Sequence, residues 1–189
     1  SDSKNGTKAS QNYWKSAIKQ VKDLLDSQFD LSRDICMTEI VHCKSKGEKG
    51  VSKASGKCSE TYLGRILQLS GSLLVLIGGA KARTQVHAHR QEWKEEGLVA
   101  WDLSEKFGYF RQGEINPRDH IGLMTIDETG NKVSKIVVAT EQLSYASNKY
   151  RYVQSVIGEA AYGRLADYLR GNIPKTFQSR EEVFEFLGL

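Results

Sequence analysis

Long hydrophobic runs are missing from this chain of 189 residues. No apolar stretch approaches the roughly 20 residues that cross a bilayer, so no membrane-spanning helix is expected. The opening SDSKNGTKAS is polar and lacks an apolar h-region, so no secretory signal is expected either. Cysteine is scarce. Cys36, Cys43 and Cys58 are three in number, too few and too clustered for a disulfide scaffold, which points to a reducing, intracellular setting. Charge of one sign does not dominate: 27 basic and 23 acidic residues leave +4, compatible with a polyanionic partner without demanding one. Repeats and low-complexity segments are also absent. A hydrophobic fraction of 39% with three Trp argues against disorder. What remains is a single domain over 1–189 with a flexible polar segment at 1–10.

The charge that is present is unevenly spread. Between Lys44 and Lys57 five lysines face one acid, Glu48. Such a run is either a solvated loop or a loop turned toward phosphate. Before it, DICMTEIV (34–41) reads as a strand. Residues 11–26 read as a helix with Trp14, Ile18, Val21 and Leu25 on one face and Ser10 as N-cap. Helical spacing returns at 59–70, where Tyr62, Ile66 and Leu69 line up. LLVLIGG (73–79) is a continuous apolar run stopped by two glycines, the pattern of a strand buried on both faces. AKARTQVHAHRQEW is then helical, and 95–117 has no steady period and reads as an irregular excursion. HIGLMTID and SKIVVAT are strands placed to pair as a hairpin around ETGNKV. A helix over 147–169 carries Tyr152, Val156, Ala160, Gly163 and Ala166 on one face. A last helix opens with a Ser179/Glu182 capping box.

Alternating strands and helices imply α/β architecture: a three-layer α/β/α sandwich with a mostly parallel sheet. In such sheets ligands lie beyond the carboxyl ends of the strands, which singles out the loops 42–57, 78–84 and 141–150. Tyr145, Tyr150 and Tyr152 near the last loop are able to stack on bases, although Tyr152 fits a core position better. Sharper motifs fail on geometry. His42 and Cys43 are adjacent on a strand and point to opposite faces, so they do not chelate zinc together with Cys58, nor act as a nucleophile and base. His87 and His89 are two apart, the wrong period for a shared helical face, and read as surface residues. His120, before a strand, has no identifiable partner. GGAKAR lacks the Walker spacing and reads as a tight turn.

One stretch does resemble something specific. A strand ending T-x-x-V-x-C (38–43), a basic loop, a second cysteine at Cys58, a helix and then LLVLIGGAKA resemble the uracil-DNA glycosylase superfamily, closest to its bacterial and archaeal iron–sulfur branches, over roughly 30–170. The resemblance implies a glycosylase-like α/β/α fold, a cytoplasmic, bacterial-like setting, and DNA as partner through a nucleotide flipped from the helix. Glu39 then stands where the family's base-reading Asn lies, and Gln142-Leu143-Ser144 stand where it often has His-Pro-Ser. These imply Glu39 and Gln142 as catalytic positions. Ser144, Tyr145, Ser147, Asn148, Lys149, Lys44, Lys46, Gly78 and Gly79 are implied as base- or DNA-binding. In the cluster-bearing branch Cys43 and Cys58 would be two of four iron–sulfur ligands. Two do not hold a four-iron cluster, so no cofactor is expected. The family's opening strand and water-positioning loop have no counterpart in these residues, so part of the domain is expected to precede them or to be replaced by another segment.

The functional expectation is a base-excision glycosylase that hydrolyses the N-glycosidic bond of uracil or another deaminated base. Its alternative is a catalytically weak or inactive DNA-binding module of the same fold. A domain that binds a small nucleotide or another protein is the third.

Overall fold

The computed structural model describes residues 4–26, 29–34, 51–69, 71–110, 113–128, 131–142, 148–173 and 176–189. The expected strand at 34–41 lies outside them except for Asp34, which closes a short helix, and most of the basic loop lies outside as well.

Four strands form one sheet: β1 (Leu74–Gly78), β2 (Ala100–Asp102), β3 (Ile121–Glu128) and β4 (Asn131–Thr140), in the order β1-β4-β3-β2. The β3–β4 hairpin is the one the alternating pattern predicts, with Ile121 opposite Val138 and Glu128 opposite Asn131. β1 runs parallel to β4, from Leu74 opposite Ile136 to Gly78 opposite Thr140. β2 is antiparallel to β3. The described sheet is therefore mixed, not mostly parallel, because a hairpin and a short returning strand occupy the side where further crossovers were expected.

Period-two alternation divides β4 between two cores. Ile136 and Val138 pack with Ile121 and Leu123 against Leu24 of α1 (Lys4–Leu25) and against α6 (Val153–Ile157), α7 (Glu159–Leu169) and α8 (Arg180–Leu187). Val137 and Ala139 face the other way, with Met124 and Ile126, onto Val86 and Trp93 of α5 (Ala80–Glu95) and onto Leu63. Helices thus cover both faces of the sheet. Lys135 shares this second face, is 1% exposed, and its ammonium donates to the Leu67 carbonyl at 3.3 Å. That carbonyl belongs to the last turn of a helix, where free carbonyls and the negative dipole end favour a cation.

Several boundaries differ from the expectation, each for a local reason. α1 starts at Lys4, so Ser10 lies inside it and is not its N-cap. Helix resumes at Val51, which makes the second half of the expected 42–57 loop helical. α3 (Val51–Cys58) continues through a π-helical turn, Ser59–Leu63, into α4 (Gly64–Leu69). The wider turn rotates the later residues, so Tyr62 and Leu69 face solvent while Leu63 and Gly64 are buried. α2 (Leu31–Asp34) is a single turn. β1 is half-buried with only Ile77 fully covered, so it is not the doubly buried strand its composition suggests. β2 is a short strand within the excursion expected at 95–117. The 147–169 helix is broken at Gly158 (φ 83°), and its buried stripe is Val153, Val156, Ile157, Ala161, Leu165 and Ala166, with Ala160 and Gly163 exposed. At α8, Ser179 caps as expected by accepting from the Glu182 N–H at 3.3 Å. The Glu182 carboxylate instead accepts from the Gln178 N–H at 2.9 Å, one residue further back than a capping box.

Gly64 of α4 packs tightly against Trp93 of α5. A Cβ there would meet Trp93 Cδ1 at 2.9 Å and Leu98 Cδ1 at 3.1 Å. Trp93 is fully buried and has no room to retreat. Gly64→Ala is expected to lower the unfolding free energy by about 1–3 kcal/mol. An unchanged urea midpoint would contradict this packing.

Candidate functional site at the carboxyl rim of the parallel pair

The parallel pairing of β1 with β4 brings two strand ends, some sixty residues apart in sequence, to one rim. Beyond Gly78 the chain turns at Gly79 (φ 87°) and enters α5 at once, so the loop expected at 78–84 is reduced to one glycine. The Gly79 N–H donates to the Thr140 carbonyl at 3.0 Å. One turn into α5, Arg83 donates to the same carbonyl through Nη1 at 2.8 Å. A Cβ on Gly79 would sit 3.6 Å from Gln142 Cβ, so the glycine edge and Gln142 are in contact distance.

After Thr140 the chain is tied into a closed loop. The Glu141 N–H donates to the Tyr150 carbonyl at 3.0 Å, and the Tyr150 N–H donates to Glu141 Oε2 at 2.9 Å. Asn148 Nδ2 donates to the Gln142 carbonyl at 2.9 Å. These three bonds fix both ends of the loop and leave the Gln142 side chain exposed. Tyr150 is buried and anchors the loop by donating from its hydroxyl to the Gly113 carbonyl at 2.8 Å. The Lys149 ammonium lies 5.0 Å from the Tyr150 ring. The tyrosine that packs inward is therefore Tyr150. Tyr152 is only half-buried, with the Arg151 guanidinium 4.6 Å from its ring centroid. From α1, the buried Gln20 accepts from the Val153 N–H at 2.9 Å and holds the far end of this segment.

Behind the exposed edge lies a column of stacked groups. His120 directly precedes β3, and its carbonyl accepts from the Ala139 N–H at 2.9 Å. Its ring is 1% exposed and stacks on Phe110 at 4.3 Å and 19°. Phe110 also stacks on Tyr150 at 5.8 Å, and the Arg83 guanidinium lies 5.0 Å from its centroid. Burial drives the His120 pKa down to about 4, with nearby Arg83 acting in the same direction and Asp119 opposing. The imidazole is neutral at pH 7, and its Nδ1 has no hydrogen-bond partner. Burial also lowers the Arg83 pKa, with Glu141 opposing.

Of the residues singled out from sequence, Gly78, Gly79, Gln142, Asn148 and Lys149 meet at this rim. Glu39, Cys43, Lys44, Lys46, Ser144, Tyr145 and Ser147 lie outside the described residues. Cys58 is a buried free thiol. No group of three His, Cys, Asp or Glu able to hold a metal occurs among the described residues. The helical histidines are half-buried, not surface residues. His87 Nε2 is 3.2 Å from the Phe107 carbonyl, and His89 stacks on Trp93 with its Nδ1 3.0 Å from Glu92. Arg83, Phe110 and His120 escaped the sequence reading as site residues. The local signals were an arginine one turn after a Gly-Gly strand end and a histidine directly before an apolar strand.

Chemically, the rim presents neutral amides, backbone N–H groups and cations. Among the described residues there, Glu141 accepts from the Tyr150 N–H, and His120 is buried and neutral at pH 7. A histidine whose folded pKa lies below its ordinary value of 6.5 stabilises the fold above that value, and the contribution is lost as pH falls toward 4. The expected loss is on the order of 3 kcal/mol. Wild-type stability relative to His120→Asn should fall by that amount between pH 7 and pH 4 in urea titrations. A pH-independent difference would show that the ring is not desolvated.

No helix among the described residues is long and apolar enough to cross a membrane. The chain matches no family model, no curated protein and no solved structure.

Proposed function

We propose that this chain is a divergent uracil-DNA glycosylase-like domain that receives a base extruded from DNA at the rim of β1 and β4. Its activity on this reading is hydrolysis of the N-glycosidic bond of uracil or another deaminated base. The carrying observation is the convergence at the rim. The resemblance matches LLVLIGGAKA by pattern and places Gln142-Leu143-Ser144 by order along the chain, and Gly79 and Gln142 lie against each other where the two parallel strands end. This rim is where open α/β sheets take ligands.

On this reading the exposed Gln142 amide donates to a carbonyl oxygen of the everted base, and Glu39 accepts from its ring N–H. Lys149, Asn148, Ser144, Ser147, Tyr145, Lys44 and Lys46 hold the backbone and the flanking bases. Excision also has to stabilise the departing base anion. A neutral amide donor does this less well than an ionisable group, so turnover is slow. The fold that goes with this reading is a three-layer α/β/α sandwich in an intracellular setting beside DNA.

A second reading, DNA binding without turnover, is favoured by one observation. Glu141, next to Gln142 in the chain, accepts from a backbone N–H, and His120, behind the rim, is buried.

End-labelled single- and double-stranded oligonucleotides carrying uracil or hypoxanthine discriminate these. Binding should weaken steeply between about 50 and 200 mM salt, and Lys149→Ala should lower the log–log salt slope by about 1. Slow release of free base is expected, with Gln142→Ala reducing it about tenfold, the worth of one hydrogen bond. Binding without release leaves the second reading. Binding indifferent to salt, together with no release, removes both.

A further inference from the structure

α1 carries a charge pattern that neither core requires. Over Lys4–Leu25 it holds five lysines against one acid, Asp23. At 3.6 residues per turn, positions 4, 8, 15, 19 and 22 fall within an arc of about 60°. Lys15, Lys19 and Lys22 are exposed, while the opposite side of the helix is committed to the fold. Leu24 is fully buried there, and Gln20 accepts from the Val153 N–H at 2.9 Å and donates to the Arg151 carbonyl at 3.4 Å. The pattern works against the helix itself. Like charges three or four positions apart repel, and a helix start favours acids, of which the first turn has none. Asp23 relieves Lys19 at 2.6 Å, but both side chains are at least half-exposed, where such a pair holds weakly. Among the described residues no carboxylate pairs with Lys15 or Lys22.

We propose that this lysine stripe, continued by Arg151 and Lys149, is a track for the phosphate backbone of a nucleic acid, leading to the Gln142 end of the rim. Gln20 joins the two parts, because it holds the 151–153 segment on α1. Lys149 and Arg151 follow the rim loop directly, each beside a tyrosine ring. Lys15, Lys19 and Lys22 stand about 6 and 4.5 Å apart along the helix axis. Each therefore meets a separate phosphate of a strand that carries about one per 3.4 Å. A membrane surface also suits basic helices, but the helix must then offer exposed apolar side chains to the lipid. Trp14, Ile18, Val21 and Leu25 are half-buried, so from Trp14 onward α1 shows lysines with no exposed large apolar residue. The stripe lies outside residues 30–170, which carry the resemblance, and adds a surface that the glycosylase reading does not contain. It rests on that reading only for the kind of polyanion.

Fluorescence anisotropy with a short labelled DNA duplex of unmodified bases tests it, between about 50 and 200 mM salt. Lys15→Gln/Lys19→Gln/Lys22→Gln keeps helix propensity and removes three charges of the stripe. It should weaken binding by about tenfold or more at the lower salt and reduce the log–log salt slope by about 2–3. The charge-matched control Lys57→Gln/Lys94→Gln/Lys132→Gln removes three exposed lysines elsewhere and should change affinity by about twofold at most. Asp23→Asn frees Lys19 and should tighten binding about threefold. The track is overturned if the stripe variant, folded by circular dichroism, binds as the control does. It is overturned equally if Asp23→Asn binds no more tightly than wild type, which decides the matter even where the triple variant does not fold. Stripe-dependent binding to vesicles of phosphatidylserine and phosphatidylcholine, without duplex binding, overturns it in favour of a membrane surface. Stripe-dependent duplex binding without release of base from uracil or hypoxanthine oligonucleotides keeps the track and sinks the glycosylase reading. Base release with the same KM in the stripe variant as in wild type keeps that reading and overturns the track.

Discussion

The site described here depends on one acceptor, the backbone carbonyl of Thr140. It receives the Gly79 N–H at 3.0 Å and Arg83 Nη1 at 2.8 Å. The first bond extends the parallel β1–β4 pairing one residue past its last strand pair and brings the start of α5 against the end of β4. The second fastens α5 to the same point and keeps a guanidinium beside Phe110. Hydrogen bonds from charged donors are stronger than neutral ones, and this one is half-buried, where water competes less. Removing either donor would loosen the join between the start of α5 and the end of β4.

The same anchoring explains the chemical character of the rim. Glu141 is needed to close the loop, and His120 is needed as a stacking surface just before β3. For His120, burial keeps the ring neutral at pH 7. Among the described residues of the rim, Gln142 and Lys149 face solvent. Burial of neutral His120 without a partner for Nδ1 is the exception, because proteins seldom leave such an atom unsatisfied.

Much of the framework was legible in the sequence. Alternation of apolar residues and the ETGNKV turn identify β3 and β4, and the apolar run ending in Gly78-Gly79 identifies β1 and the start of α5. The start of α1 was not legible, since residues 4–10 carry no apolar period and their helix is continued from the amphipathic part. The π-helical turn at 59–63 also defeats periodicity. It widens one turn, so a stripe counted at 3.6 residues per turn points Tyr62 and Leu69 into solvent. β2, at three residues, is too short to leave a pattern.

The candidate site was half legible. Gly79 and Gln142 could be placed at strand ends by local reading, because each terminates an apolar run. Tyr150 could be placed at the last loop, though as a stacking residue and not as a buried anchor. Arg83, Phe110 and His120 could not be placed, because they come from three separate segments joined only by tertiary packing. Burial of His120 in particular is a property of the Phe110 ring laid over it, which no local spacing encodes.

Amide hydrogen exchange at Gly79, followed by NMR in the intact chain, tests the central constraint most directly. With its N–H bonded to the Thr140 carbonyl, Gly79 should exchange as slowly as Ala139, whose N–H is bonded to His120 across β4 and β3. Exchange at the rate of an open loop amide while Ala139 stays protected would contradict the account, because the ends of β1 and β4 would then not be joined into one rim.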